Sequence, residues 1–553
     1  MNRRDFLRNS LIIGASSAAL ANNIFASPEV LTSRKTLINT EAGSLIFKPV
    51  FTQKGRGPHL LDWSYACDRN WDAFHSNITA GRDGIKISDT EGVDKFSIEA
   101  RWNVEGFGYI FITADNGGEF YSLPASGKTA ELNLVYELAK SRVFRNRRRM
   151  NKHKADGYIP GTEASSLIDL SEELFHDAEK TSDEYRKSGY AQSALLYAMT
   201  ASEKLELENA MQQIKKHGAR KDFYFGCDAR GFNQMDPDIF LDNFSEAFNY
   251  ATITHYLVHN GYQDFEPQEG NKKFNLRSIM LDELRARNIT VEGRPLFYFY
   301  ETVTPDWLRK KSYSELLKYV ESHTREVVGH YGDKMYAWEI INEAHDWANE
   351  LQLSPDQITE VAKLACDVAK DTNPKVHRLI NNCCPFAEYV QLKKWGKLDA
   401  KYPQRTPIKF MQDLAAAGVD FTITGGQMYF PYRDLQDIII NIERFEQFGK
   451  PHQLTEIGAS SGPTKDSINT GRLEIEREPY IWHRPWDMEL QADWLESVYT
   501  LVYSKPWIEA ANWYDFVDPF SWIKNGGLHE TAQGEKKAAF DRLINLRKQF
   551  ESL

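Results

Sequence analysis

The stretch YAWEIINEAHDW, residues 336–347, decides how the rest of the chain is read. Trp338 through Ile341 has the near-continuous apolar character of a buried central strand, with Asn342 and Glu343 emerging at its open end. His345 and Trp347 are expected to shape the rim beyond it. Working outward, similar short runs recur from about residue 220: DFYFGCD, FNYATI, ITVEGRPLFYFY, MYAWEIINE, HRLINNCC, FTITGGQMY, HQLTEIGA and IEAANWYDF. Stretches of helical period lie between several of them, such as SYSELLKYVESHTREVVGHYG and SPDQITEVAKLACDVAKDTN. Alternating β and α with buried strands predicts a parallel sheet, and eight units fit a (β/α)₈ barrel of roughly 250 residues or more. No Gly-x-Gly-x-x-Gly or Walker loop follows any strand, which disfavours a doubly wound nucleotide-binding sheet.

Chemistry in such a barrel sits at the C-terminal ends of its strands. Two of the runs end in a glutamate, Glu343 and Glu456, separated by about three βα units, which places them on strands four and seven. Two carboxylates converging on one mouth repel each other and are costly without a task. Glycosidic bond cleavage needs such a pair: one carboxyl protonated to serve the leaving oxygen, the other ionised to attack the anomeric carbon. A single Glu at a strand end is more often a salt-bridged structural group, so the weight rests on the pair.

The other features bound the context. The chain has 553 residues, 42% apolar and 26% charged, with net charge −11. That acidity argues against nucleic acid or anionic lipid as partner and suits an enzyme acting on a neutral or mildly charged polymer. NRRDFLRNSLIIGASSAALA, residues 2–21, sets Arg3-Arg4 before a short apolar run, the layout of a twin-arginine export signal. The mature chain is expected to start after Ala21 or Ala26 and to work in the periplasm or outside the cell, with no integral membrane segment. Five cysteines without a Cys-x-x-Cys read as buried thiols. Residues 40–125 alternate apolar and polar with Gly-rich breaks, predicting a β-sandwich-like module. Its Trp63, Tyr65, Trp71 and Trp102 could stack on sugars or fill a core. The basic run RVFRNRRRMNKHK, 142–154, reads as a solvated connector or helix end, and 171–218 as two helices joined near Lys187-Ser188-Gly189. The expected division is 1–26 export signal, 38–135 β-rich and possible carbohydrate-binding module, 136–215 helical connector and 216–553 barrel.

With those residues in view, the barrel resembles glycoside hydrolase family 10, the endo-1,4-β-xylanase family. WEIINEAHDWAN is similar to its acid/base motif and LTEIGAS to its nucleophile strand; TPDWL, LINN, GGQMY and DPFSW follow in the family's order. The resemblance implies Glu343 as acid/base, Glu456 as nucleophile and Asn342 as partner of the sugar 2-hydroxyl. It implies Gln427 as orienting group and Trp522 as the ring that stacks on the sugar, with Trp513 before it on the last strand. The sugar-gripping shell departs from the pattern. In register with TPDWL, Tyr300 takes a Trp place and Glu301 a His place; Arg294 or Leu296 stands near another His, and Tyr429 replaces the strand-six His. His255 and His259 lie where the family has a Glu-Asn-x-Met-Lys grip. Arg294 could meet a uronic-acid-decorated chain or form a salt bridge, and Glu301 could add a third carboxylate. His345 beside Glu343 and Asp346 lacks any metal-ligand pattern, and neither metal nor cofactor is expected. The implied activity is retaining hydrolysis of internal β-1,4-xylosidic bonds in xylan or related hemicellulose by a monomer. The alternatives are a retaining hydrolase or transglycosylase on another β-glycan, or a non-catalytic glycan-binding barrel.

Overall fold

A short apolar run followed by a capped amphipathic helix, repeated eight times, leaves each strand no edge to expose once the sheet closes. The computed structural model describes residues 43–50, 60–81, 83–259, 263–395, 398–429, 432–462 and 480–553. The export signal expected at 1–26 lies outside the described residues.

Eight parallel strands form a closed barrel: β1 Tyr224–Asp228, β2 Tyr250–Thr254, β3 Thr290–Arg294, β4 Ala337–Asn342, β5 His377–Asn382, β6 Ile423–Met428, β7 His452–Ile457 and β8 Ile508–Trp513, with β8 pairing back onto β1. The principal helix following each strand is α1 Pro237–Ala247, α2 Asn275–Ala286, α3 Tyr313–Tyr331, α4 Pro355–Thr372, α5 Pro407–Ala416, α6 Leu435–Glu443, α7 Met488–Tyr503 and α8 Ala538–Glu551. Capping boxes at Ser312/Glu315 and Ser354/Gln357 fix the starts of α3 and α4, in the two stretches whose helical period is plainest. On β4, Trp338 points out against Tyr331 of α3 and against His255. Its ring lies so close to β3 that a Cβ on Gly293 would sit 2.3 Å from it, so only glycine fits. Inside the barrel, Tyr250 donates to Glu292 at 2.6 Å, and Gln453 donates to Glu509 at 2.9 Å. This polar level supports the charged level above it. All five cysteines are buried thiols.

The N-terminal residues form two sheets. One has four strands, in the order Asn77–Gly81, Gly84–Asp89, Ser44–Lys48 and Thr129–Asn133. The other has five, and its edge strand, Ile481–Trp482, comes from the loop between β7 and α7. The sandwich is therefore completed by the barrel's own chain. Trp102 is in its core and Tyr65 is buried toward the barrel, while Trp63 packs on Tyr65 and Trp71 lies under Arg145. The four aromatics are committed to packing.

Two expectations are corrected here. The segment 171–218 does not break at Lys187–Gly189: one helix runs unbroken over Glu184–His217, and the preceding helix, Thr162–Lys180, ends before an Asp183 N-cap. The basic run is a helix end as expected, but only part of it is solvated: Arg148, Lys152 and Lys154 are exposed. It lies in the helix Leu134–Ala155, where Arg142, Arg145 and Arg149 share one buried face at helical spacing. Arg142 meets Asp434 at 2.5 Å, Arg145 meets Asp437 at 2.7 Å, and Arg149 meets Glu206 and Glu443 at 2.7 Å each. Asp434, Asp437 and Glu443, on and beside α6, weld the helix to the barrel, while Glu206 ties it to the helix Glu184–His217. Arg433, just before α6, reaches the sandwich itself, pairing with Glu99 at 2.5 Å and with the Tyr65 hydroxyl. Removing one partner of a buried pair strands the other charge, so Arg433→Met should lower unfolding stability by about 3–5 kcal/mol in denaturant titration. A loss below about 1 kcal/mol would mean the joint bears no load.

Candidate active site

The apolar run of β4 ends at Asn342, and the next residue turns sharply. Glu343 has φ +54°, a left-handed conformation that costs a non-glycine residue roughly 1–2 kcal/mol. The turn is held by β5, whose Asn381 carbonyl accepts the Glu343 N–H at 3.0 Å. The side chain is thereby aimed into the mouth, where Tyr298 donates to Oε2 at 2.5 Å and Gln427 donates to Oε1 at 2.7 Å. Burial, then the charge of Glu456, push the Glu343 carboxyl up to about 7.

Glu456 sits on β7, directly opposite Gln427 of β6 in the ladder. The same Gln427 Nε2 that serves Glu343 lies 3.1 Å from Glu456 Oε1. An amide nitrogen has two diverging N–H bonds, so one side chain can serve both carboxylates at once. Tyr429 donates to Glu456 Oε2 at 2.5 Å, and Arg294 of β3 pairs with Oε1.

Beneath the pair lies a third acid. Glu339 is fully buried on β4, 3.4 Å from Arg294 Nε, and burial holds its carboxyl well above the usual range despite that cation. Asn381 links the level: its Nδ2 is 3.1 Å from Glu339, 3.0 Å from Asn342 Oδ1 and 3.4 Å from Glu456, while Thr455 donates to its Oδ1. Asn342 keeps a buried Nδ2 with no partner of its own. That leaves an oriented donor beside the acids.

The remaining expected residues divide. Trp522 is 52% exposed, with its N–H fixed by Asp515 and its ring 5.0 Å from Tyr429, which suits a sugar-stacking face. Trp513 is 0% exposed, donates to the Gly526 carbonyl and packs on Trp494. It belongs to the core, and the next residue, Tyr514, packs on Tyr429 at 5.6 Å beside Trp522. Tyr300 stacks on Tyr298 at 5.4 Å, one step out from the acids. Glu301 is exposed beyond it and is not brought to the pair. Arg294, 1% exposed, is committed to Glu456 and Glu339 and does not reach out to a decorated chain. His255 is buried between Phe265, Tyr331 and Trp338, away from the mouth. His345 and Trp347 are buried instead of lining a rim. His345 Nδ1 meets the Tyr389 hydroxyl at 2.7 Å and Nε2 takes the Cys383 N–H at 3.3 Å, leaving no nitrogen for a metal. Among the described residues no group of three His, Cys, Asp or Glu is arranged to hold a metal ion.

Tyr298 and Asn381 were not singled out from the sequence. Asn381 left a signal, a polar Asn-Asn pair closing an apolar strand; Tyr298 was masked by Tyr300 two residues later.

A closed parallel barrel with two glutamates sharing one amide at the ends of β4 and β7 is the architecture of a barrel glycosidase. The chain belongs to glycosyl hydrolase family 10, whose family model matches residues 216–546. It is similar to Endo-1,4-beta-xylanase B of Thermotoga neapolitana, at 23% identity over 302 residues, 52% of this chain and 75% of that protein. Beta-1,4-xylanase of Dictyoglomus thermophilum is 27% identical over 312 residues, 52% and 81%. The crystal structure of native xylanase 10B from Thermotoga maritima superposes with TM-score 0.46 at 17% identity, covering 63% of this chain and 99% of that one.

Proposed function

We propose that this protein hydrolyses internal β-1,4-xylosidic bonds in xylan or a related hemicellulose with retention of anomeric configuration. Glu343 protonates the leaving oxygen while Glu456 attacks the anomeric carbon and forms a glycosyl ester. Glu343 then takes a proton from water, which hydrolyses the ester. The observation that carries this reading is the single Gln427 amide bridging both acids. It supports the roughly 5–5.5 Å separation that retention requires, too narrow for the water an inverting enzyme must seat. The environments differ as the roles demand: Glu343 holds its proton to about 7, while Glu456 faces the Arg294 cation. Asn342 Nδ2 is placed to donate to the sugar 2-hydroxyl, Tyr429 orients Glu456, and Trp522 stacks on a sugar ring. The reading also follows the names of the similar xylanases.

The division into 1–26, 38–135, 136–215 and 216–553 goes with it, as do twin-arginine export, a periplasmic or extracellular site and a monomer. No helix of the described residues is long and apolar enough to cross a membrane. Following xylo-oligosaccharide hydrolysis by proton NMR should show the β-anomer of the new reducing end first. Initial appearance of the α-anomer would contradict the proposal.

A further inference from the structure

Each acid of the pair has one tyrosine, and the two tyrosines face different tasks. Tyr429 donates to Glu456 Oε2 at 2.5 Å and is buried, on a carboxyl that also pairs with the Arg294 cation. Glu456 takes no proton at any step of the proposed reaction, so Tyr429 need only donate. Tyr298 donates to Glu343 Oε2 at 2.5 Å and is half-buried at the mouth, on a carboxyl whose other oxygen takes the neutral Gln427 amide. Glu343 must hold a proton in one step and lack it in the next.

The Tyr298 hydroxyl is fixed by the strand that carries Glu343. Past the end of β3 the chain stays zipped onto β4: the Leu296 N–H donates to the Glu339 carbonyl at 2.8 Å, and the Asn342 N–H to the Phe297 carbonyl at 2.9 Å. The ring stacks on Tyr300 at 5.4 Å and 12°, and packs on Tyr256 at 5.7 Å. Backbone and ring together keep the hydroxyl beside Oε2. The two partners of Glu343 then differ in chemistry. Gln427 Nε2 only donates, so Oε1 stays an acceptor whether or not the carboxyl is protonated. A phenol hydroxyl both donates and accepts, so Tyr298 can meet either state of Oε2. Burial, then the charge of Glu343, raise the Tyr298 hydroxyl well above its ordinary value, so it keeps its own proton throughout.

We propose that Tyr298 is the positioning residue for the acid/base proton: it keeps that proton on Glu343 Oε2, accepting from the protonated carboxyl and donating back once the proton has left. The inference rests on the reading of Glu343 as acid/base. In the first step the Oε2–H bond breaks, its proton passes to the leaving oxygen as the glycosidic bond breaks, and the Tyr298 O–H swings from the mouth onto the new carboxylate. In the second, a water proton passes to Oε2 as the water oxygen bonds the anomeric carbon and the ester bond to Glu456 breaks; the Tyr298 O–H swings back. No proton is lost or gained by Tyr298. The bond it gives the forming anion is about twice as strong as the neutral one it replaces, which favours transfer.

Tyr298→Phe keeps the ring and its aromatic contacts, so a role in packing alone predicts full activity. Two rates separate the steps: kcat/KM on a xylo-oligosaccharide reads ester formation, and kcat on a dinitrophenyl xyloside, whose leaving group needs no proton, reads ester hydrolysis. Each should fall by about tenfold, the scale of one hydrogen bond to a charged group. The alkaline fall of kcat/KM, which lies at about 7 in the wild type, should move up by about one pH unit, because the anion loses the stronger bond. Tyr298→3-fluorotyrosine, the same shape with a stronger donor, should move it down, and serves if Tyr298→Phe does not fold. Added to Glu343→Gln, Tyr298→Phe should cost less than about twofold further on the oligosaccharide, since the tyrosine acts through that carboxyl. The release of the Glu343 proton is also read without substrate, in the pH dependence of the denaturant midpoint, where Tyr298→Phe should move the drop to higher pH. Wild-type rates, a pH limb left in place, or a loss confined to one of the two steps overturns the proposal. Turnover indifferent to Tyr298→Phe removes the tyrosine and leaves the hydrolase. A stability drop that moves with Tyr298→Phe, without turnover of any xyloside, keeps the hold on the proton and removes the hydrolase.

Discussion

Glu343→Gln lowers kcat on unactivated xylo-oligosaccharides by about 10²–10⁴-fold, the share of barrier carried by a positioned general acid. The loss is much smaller on aryl glycosides whose leaving group needs no proton, and added azide restores turnover by attacking the ester without a base. The pH profile distinguishes this from mere damage. Wild-type kcat/KM falls as pH rises through about 7, where Glu343 gives up the proton that burial and Glu456 make it hold; the variant lacks that limb. Stability moves with it. The folded chain holds the proton to about 7, while an unfolded one releases it near 4.5. The stability contributed by that proton is therefore complete below about 4.5 and lost as pH rises through 7, on the order of 3 kcal/mol. Glu343→Gln escapes that loss, so denaturant midpoints should show it gaining on the wild type between pH 4.5 and 8. Parallel pH–stability curves would remove Glu343 from the role.

Arg294→Met should be the most damaging substitution outside the acid pair. The guanidinium contacts Glu456, lies 3.4 Å from Glu339 and reaches Asp228 at 4.0 Å, all buried. Without it, Glu456 and Glu339 share one dry space with no cation, while Asp228 keeps Arg230 at 2.8 Å. The expected loss is about 3–5 kcal/mol of stability, with kcat/KM down by two orders of magnitude or more as Glu456 loses its orientation. The stability deficit should shrink as pH falls, because the stranded carboxyls then take up protons. Arg294→Lys keeps the charge without the fork and should fall between the two. A wild-type-like Arg294→Met, by unfolding and by kinetics, would leave this cation without function.

The barrel and the acid pair were legible because their signals are local. Eight buried runs, capped helices and two terminal glutamates each declare themselves within about ten residues. The shell was not, for a reason visible in LFYFYE, residues 296–301. Side chains two apart on an extended segment face the same way, so Tyr298 and Tyr300 are indistinguishable by pattern, and only the fold shows that Tyr298 touches Glu343. Arg142, Arg145 and Arg149 carried a helical-face signal that a solvated reading hid. Their partners on and beside α6 lie nearly 300 residues away, where no local pattern reaches. Trp513 and Trp522 looked alike as letters but differ completely in exposure, which the closing of β8 onto β1 decides.

Incubation with an activated 2-fluoro xylobioside, followed by mapping of the labelled peptide, meets the central claim head-on. The fluorine slows both formation and hydrolysis of the ester and the activated leaving group speeds formation alone, so the sugar should remain attached to Glu456 within QLTEIGAS, one label per chain. Attachment to Glu343 or any other side chain, or full turnover with no label accumulating, would contradict a glycosyl ester on β7.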